Sequence, residues 1–249
     1  MDGQLEMNLF AAQIRAIAGD IDTNIARHID AVNLAASKGA DLLLFPELSV
    51  TGYEPALAET LAMPPSDSRL DVFQALSDQY RMLIAVGAPT RGSKGVEISL
   101  ISFLPGLERK TYSKQHLHTD ELPFFSAGTH PLLLEHGRHV LAPAICYESL
   151  LPKHAEQAAE SAAQVYMASV AKSEKGVAAA YRHYSEVAEK HSMTVIMANC
   201  VGAADNFVGA GLSAIWKSDG EMACSTSSTQ DALVAYDTQT GEASVYTLA

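Results

Sequence analysis

The chain has few cysteines and no long hydrophobic run. Its 249 residues include three cysteines, Cys146, Cys200 and Cys224, an odd number without regular spacing. Such a set is not a disulfide framework and is typical of a reducing compartment. No stretch reaches the roughly 18 apolar residues of a membrane-spanning helix. Residues 1–10 also lack the basic start and apolar core of a signal peptide. These absences predict a soluble, cytoplasmic protein.

Basic residues are also scarce. The chain has 17 Lys and Arg against 29 Asp and Glu, which gives a net charge of -12. This balance argues against an extended surface for nucleic-acid phosphates and against attraction to an anionic membrane. Apolar residues make up 48% of the chain, enough for a globular core. We therefore expect neither a nucleic acid nor a membrane as a partner.

Strand and helix patterns alternate along the chain. Ile21, Ile25, Ile29 and Val32 recur at helical spacing, so a helix is predicted over residues 22–38. Further helices are predicted over residues 66–80, 152–163 and 176–191. Strands are predicted at residues 8–14, 41–45, 83–88, 96–104, 109–113, 132–135, 139–146, 165–170, 194–200, 212–216 and 232–236. The pattern predicts an α/β fold with a mixed sheet, in a single domain spanning residues 1–249.

Three side chains with complementary chemistry follow predicted strands. They are Glu47, Lys114 and Cys146, in that chain order. A cysteine nucleophile needs a base that makes the thiolate and donors that hold an oxyanion. Taken singly, each has a simpler interpretation: a packed cysteine, a solvated glutamate or a surface lysine. Only the combination indicates chemistry.

Three segments carry a family resemblance. They read Phe45-Pro46-Glu47, Tyr112-Ser113-Lys114-Gln115-His116-Leu117 and Ile145-Cys146-Tyr147-Glu148. In this order and at these intervals they resemble the signature segments of the nitrilase superfamily, the carbon–nitrogen hydrolases. The resemblance implies a four-layer α-β-β-α sandwich with mixed sheets. It also implies cofactor-free attack on a C–N bond, usually of a small-molecule amide substrate, and protomers that pair as a homodimer or higher homo-oligomer.

The same resemblance implies a role for each site residue. Cys146 would be the nucleophile, and Glu47 the general base that later returns a proton to the leaving amine. Lys114 would stabilise the tetrahedral intermediate together with the backbone N–H of Tyr147. Glu121 follows in the loop after Lys114, where family members often carry a second glutamate that positions substrate or water. A solvated loop acid is the alternative for Glu121.

The loops that select the substrate are less defined. They are predicted near Tyr53, at residues 119–125 and at residues 172–175. Phe124 and Phe125 suggest an apolar wall. Lys172 or Lys175 can meet a substrate carboxylate, although a surface position is favoured for each lysine. Two positions depart from the family pattern, because Glu186 and Ser113 stand where arginine is common.

Other site chemistries have weaker support. His116 and His118 lack a nearby third ligand, so no metal is predicted, and no Gly-rich phosphate loop follows the first strand. We therefore expect no cofactor. Within the predicted fold, nitrile or N-carbamoyl hydrolysis is an alternative to amide hydrolysis. From another class, the chain could be a catalytically silent binding protein on the same scaffold.

Overall fold

The computed structural model of the protein describes residues 5–227 and 229–248. The strands in chain order are β1 (Asn8–Gln13), β2 (Leu42–Leu44), β3 (Leu83–Arg91), β4 (Val96–Phe103), β5 (Lys110–Ser113), β6 (Leu134–His136), β7 (His139–Ile145), β8 (Val165–Val170), β9 (Thr194–Asn199), β10 (Val201–Ala204), β11 (Phe207–Ala210), β12 (Ala214–Trp216), β13 (Met222–Ser225), β14 (Ala232–Asp237) and β15 (Ala243–Thr247). The helices are α1 (Ile21–Ser37), α2 (Ala58–Leu61), α3 (Asp71–Tyr80), α4 (Pro152–Glu160) and α5 (Glu174–His191), with 3-10 turns at Pro55–Leu57, Ser68–Leu70 and Glu148–Leu150.

Two large mixed sheets are built on the same plan. The first has the strand order β15-β14-β1-β2-β3-β4-β5 and the second β13-β12-β9-β8-β7-β6. In each sheet the three central strands run parallel, β1-β2-β3 in the first and β7-β8-β9 in the second. The flanking strands pair antiparallel. Parallel strands need helical crossovers, and these helices cover the outer face of each sheet.

The apolar residues divide into three core layers. In β1, Leu9 and Ala11 belong to the core between the two sheets, whereas Phe10 and Ala12 face α1 and α3. A third core lies between the second sheet and the helices α4 and α5. Alternate side chains of a strand point to opposite faces, so a strand apolar throughout must be buried on both sides. The order helix, sheet, sheet, helix confirms the predicted four-layer α-β-β-α sandwich.

Several elements differ from the prediction. The helix predicted from residue 66 begins only at Asp71, after a 3-10 turn in which the Asp67 carboxylate accepts a hydrogen bond from the Arg69 N–H. The hairpin β10-β11 and the strands β13 and β15 were not predicted. They are short, and β15 alternates between exposed and half-buried residues, so they lack a strong apolar pattern. Within the described residues, no helix is long and apolar enough to cross a membrane.

Candidate active site

The predicted site residues lie together at one edge of the two sheets. Glu47 follows β2, Lys114 follows β5 and Cys146 follows β7. Each therefore stands at the carboxyl end of its strand, where α/β proteins place ligand sites. The structure thus brings together the three residues that the sequence singled out.

Lys114 lies at the centre of a buried ionic cluster. Its ammonium Nζ donates to Glu47 Oε1 at 2.8 Å and to Glu121 Oε1 at 2.6 Å, and its side chain has no exposed surface. Burial alone would lower the pKa of Lys114, but the charges of Glu47, Cys146 and Glu121 outweigh it and raise that pKa above its ordinary value. Lys114 is a fixed cation, and its position on the surface, the simpler interpretation, is excluded.

Glu47 is buried, and one of its two carboxylate oxygens accepts no hydrogen bond from the described residues. Burial raises the pKa of its carboxyl to about 7, against the opposing charge of Lys114. Its Oε1 accepts from Lys114, while Oε2 is buried and has no hydrogen-bond partner in the described part of the chain. A general base works best when its pKa lies near the working pH. Glu47 thus has both a suitable pKa and a free acceptor atom.

Cys146 stands at a sharp turn at the end of β7. Its φ of 46° is in the left-handed region, which a residue with a side chain seldom adopts. The turn is fixed by hydrogen bonds from the Cys146 N–H to Ser169 O at 3.0 Å and from Ser149 Oγ to Cys146 O at 2.6 Å. Burial and the charge of Glu47 raise the pKa of the thiol, and the charges of Lys172 and Lys114 lower it. The next residue, Tyr147, is 37% exposed and precedes the 3-10 turn at Glu148–Leu150.

Glu121 is a buried member of the cluster and not a solvated loop acid. Its Oε1 also accepts from the Tyr53 hydroxyl at 3.1 Å, and its Oε2 accepts from the His118 N–H at 2.8 Å. Tyr53 in turn packs edge-on against Phe207 of β11, with ring centroids 5.6 Å apart. Tyr53 and Glu121 therefore hold the Lys114 ammonium through one shared oxygen, Glu121 Oε1.

Glu148 is a buried acid to which the sequence prediction gave no role. Its Oε1 accepts from the Tyr112 hydroxyl at 2.8 Å and from the Ile145 N–H at 2.9 Å. Its Oε2 accepts from the Gln115 N–H at 2.7 Å and from the next N–H along the chain. One carboxylate thus joins the Cys146 turn to the segment after Lys114. A charged residue two positions beyond the cysteine was the available signal.

The segment of Glu47 is held by close contact with its neighbours. A Cβ at Gly87 of β3 would lie 2.4 Å from Pro46 O and 2.5 Å from Leu48 N, so only glycine fits beside Glu47. From the other sheet, Ser169 Oγ donates to Phe45 O at 2.8 Å. Since the Ser169 carbonyl also binds the Cys146 N–H, this residue links the base segment to the nucleophile turn.

Lys172 is buried, whereas the sequence prediction favoured a surface position. It follows β8, is 7% exposed, and its Nζ lies 3.6 Å from Cys146 Sγ. Lys175, in contrast, is exposed on α5. Of the two phenylalanines predicted to form a wall, Phe124 lines the cavity, whereas Phe125 is buried in the core between the sheets.

A cavity of about 570 Å³ opens above the thiol. Its volume is within the roughly 300–1,000 Å³ of small-molecule sites. Its wall combines apolar, aromatic and charged side chains from the loops after β2, β5, β7 and β8 and from the β10-β11 turn: Tyr53, Pro55, Ala56, His118, Asp120, Glu121, Phe124, Cys146, Tyr147, Leu150, Ala171, Lys172, Ser173, Gly176, Asp205, Asn206 and Phe207. In the described ranges, no group of three or more His, Cys, Asp or Glu side chains is arranged to hold a metal ion.

Residues 9–245 match the carbon-nitrogen hydrolase family. The chain belongs to this family. Its curated relatives include the glutamine-dependent NAD(+) synthetases of Acinetobacter baylyi, 27% identical over 85% of this chain and 40% of the relative, and of Aquifex aeolicus, 24% identical over 95% and 43%. The chain therefore spans about two-fifths of the length of these relatives.

Solved structures of nitrilase-superfamily amidases share this fold. The amidase from Nesterenkonia sp. AN1, as a cysteine-to-alanine variant in complex with butyramide, superposes with a TM-score of 0.85 at 22% identity, over 95% of this chain and 92% of the amidase. Another variant of that amidase, with the same score and coverage, shows covalent addition of the acetamide moiety of fluoroacetamide at its active-site cysteine. These likenesses confirm the fold of this carbon-nitrogen hydrolase.

Proposed function

We propose that this protein hydrolyses a small linear amide to a carboxylic acid and ammonia or an amine, through a thioester on Cys146. The observation that carries the proposal is the free Oε2 of Glu47. It is a buried acceptor on a carboxyl with a pKa of about 7, in the same ionic cluster as Lys114 and next to the thiol. A buried carboxylate oxygen without a partner carries a desolvation cost, and it is available to accept the proton of the thiol.

The first half of the reaction forms the thioester. Glu47 Oε2 takes the proton from Cys146 Sγ as sulfur forms a bond with the amide carbon. The carbonyl oxygen becomes an oxyanion, which Lys114 Nζ and the Tyr147 N–H stabilise. Glu47 then gives its proton to the amide nitrogen, the C–N bond breaks, and ammonia or an amine leaves.

The second half releases the acid. Glu47 takes a proton from a water molecule, whose oxygen attacks the thioester carbon through a second oxyanion at the same donors. The C–S bond breaks and the thiol recovers its proton from Glu47. Glu121 and Tyr53 hold Lys114 in place during both halves, because Glu121 Oε1 binds both the ammonium and the Tyr53 hydroxyl.

Glutamine is a second candidate substrate. The curated relatives are named glutamine-dependent NAD(+) synthetases, and the cavity wall contains Asp120 and Asp205, whose carboxylates can accept from an α-ammonium group. Nitrile or N-carbamoyl hydrolysis and a silent binding protein are the further alternatives. A nitrile would give its acid through a thioimidate intermediate, and a silent scaffold would release no product.

The test is ammonia release from butyramide, glutamine and a matched nitrile, combined with intact-protein mass spectrometry. We expect turnover of an amide and an acyl adduct on Cys146, with both lost in Cys146→Ala. Cys224→Ala is the matched control, because Cys224 lies on β13 outside the cavity wall. Near-full amide turnover by Cys146→Ala would rule out the mechanism. Turnover of the nitrile alone, or of nothing, would favour the alternatives.

A further inference from the structure

Lys172 is a second buried lysine at the nucleophile, in addition to Lys114. Its Nζ is 3.6 Å from Cys146 Sγ, within reach of an N–H···S contact. The Lys114 ammonium, by comparison, has its hydrogen bonds directed to the two carboxylates. Lys114 therefore binds the two carboxylates, and Lys172 contacts the sulfur.

The backbone of Lys172 is held from both sides. Its N–H donates to Asn199 Oδ1 at 2.8 Å, and its carbonyl accepts from Asn199 Nδ2 at 3.1 Å and from the Ala210 N–H at 2.9 Å. The side-chain stem passes Gly176 of α5, where an added Cβ would lie 3.3 Å from Lys172 Cβ. The backbone of Lys172 and the start of its side chain are thus held beside the Cys146 turn.

The balance of charge gives Lys172 a function. Glu47 and Glu121 are two buried carboxylates, and Lys114 supplies one positive charge to them. With a neutral thiol, this set alone carries one net negative charge, and Lys172 cancels it. Moving a proton from Sγ to Glu47 leaves the total unchanged. Without Lys172, the thiolate would form in a cluster that is already negative, which a site of low dielectric strongly disfavours.

We propose that Lys172 is a further catalytic residue, whose ammonium pairs with the Cys146 thiolate during attack and again when the thioester breaks. This inference deepens the proposed function and rests on Cys146 as its nucleophile. It differs from the sequence hypothesis that Lys172 meets a substrate carboxylate, because a lysine paired with sulfur is not free to anchor a distant anion.

Other ionisable groups near Lys172 must be considered in a pH experiment. Asp120 and Asp205 line the same cavity at exposed positions. On α5, burial and, less strongly, the charge of Lys172 lower the pKa of His183. Burial raises the pKa of the neighbouring Cys200 to about 12, so that thiol does not titrate near neutrality.

The experiment measures the rate of Cys146 alkylation by neutral iodoacetamide from pH 5 to 10, with each cysteine followed by peptide mass spectrometry. We expect Lys172→Met to move the midpoint for Cys146 upward by about one pH unit or more, a tenfold or larger loss of thiolate at a fixed pH. Lys172→Arg keeps the charge and is expected to stay closer to the wild type. Lys175→Met is the control for removing a lysine from the same segment.

An unchanged midpoint in Lys172→Met would overturn the proposal, and a higher KM for acidic amides in that variant would then assign Lys172 to substrate binding. If Lys172→Met does not fold, Lys172→Gln provides the same test. The alkylation rate needs no substrate, so its outcome is separate from that of the proposed function. A chain that hydrolyses no amide can still show the shift, and an active amidase can lack it.

Discussion

At the scale of single residues, the site depends on a few buried charges that compensate one another. Lys114 binds two carboxylates at 2.8 and 2.6 Å, and this contact leaves one oxygen of Glu47 free for proton transfer. Removing any member leaves its partners as buried, uncompensated charges. Conservative, nearly isosteric variants are therefore the informative ones.

Glu47 sets the acid limit of the activity. Its carboxyl acts as a base only when ionised, and its pKa is raised to about 7. We expect kcat/KM to rise with pH through this value and to fall about tenfold for each unit below it. A pH–rate profile with a neutral amide checks this, and a flat profile from pH 5 to 8 would contradict it.

Glu47→Gln keeps the shape of the side chain and removes its basicity. We expect a loss of about 10²–10⁴-fold in kcat, the usual contribution of a general base. The exposed Glu59→Gln is the matched control and is expected to be neutral. Retained activity in Glu47→Gln would exclude Glu47 as the base.

Tyr53→Phe removes one of the hydrogen bonds that the Glu121 carboxylate accepts. Its hydroxyl donates to Glu121 Oε1, the oxygen that also binds Lys114. A single hydrogen bond to a charged group contributes about 1.5–3 kcal/mol, so we expect kcat/KM to fall roughly tenfold or more. Steady-state kinetics with two amides of different length separates this effect from a change in substrate fit.

At the scale of elements, the site depends on how closely neighbouring strands approach. Gly87→Ala would place a methyl group against the backbone on both sides of Glu47. We expect the Glu47 segment to move and kcat to fall at least tenfold. Gly106→Ala is the control for a strained glycine substitution outside the site, because its φ of 70° disfavours a side chain although its Cβ would meet nothing within 4 Å. Full activity of Gly87→Ala would show that the approach of β3 does not position the base.

Helix α1 carries a buried histidine that makes the fold sensitive to acid. His28 Nδ1 lies 2.7 Å from Asn24 O, to which it donates, and its Nε2 lies 2.9 Å from Ser49 Oγ. Burial lowers the pKa of His28 from 6.5 to about 4. Between these values the unfolded chain binds the proton and the folded chain does not, so the free energy of unfolding decreases as pH falls through this window.

This difference in the pKa of His28 corresponds to a decrease of about 3 kcal/mol in the free energy of unfolding between pH 7 and 4. Urea denaturation at several pH values measures it. We expect the His28→Gln variant to have a lower free energy of unfolding at pH 7. Between pH 6.5 and 4, this free energy is expected to vary less with pH than in the wild type, because unfolding of the variant takes up as much as one proton fewer. The exposed His130→Gln is the control, and its free energy of unfolding is expected to change with pH as in the wild type. If that of His28→Gln also changes with pH as in the wild type, His28 is not the group that makes the fold sensitive to acid.

At the scale of the whole molecule, we propose that two sandwiches pair as a homodimer, as the family resemblance implies. Sedimentation equilibrium over a range of concentrations is expected to give a mass of twice 26.5 kDa or a higher multiple. A single-chain mass at all micromolar concentrations would contradict the proposal.

The sequence by itself predicted buried strands alternating with helices and singled out three residues for chemistry, while its family resemblance implied the four layers. Apolar runs such as β2 and β8 predict strands buried on both faces, and the segments around Glu47, Lys114 and Cys146 identify complementary chemistry. It named Lys172 only as a candidate for a substrate carboxylate and favoured a surface position, because a lysine after a strand is usually at the surface. It did not predict the β10-β11 hairpin, which lacks an apolar pattern.

Only the tertiary structure decided which charges share one buried cluster. The free oxygen of Glu47, the burial of Glu121 and the contact of Lys172 with sulfur arise where loops from both sheets converge. These distances depend on the packing of strands far apart in the chain, which a local pattern cannot encode. Residue type and order therefore specify the layers and the chemistry available, while the packed sheets specify which atoms meet.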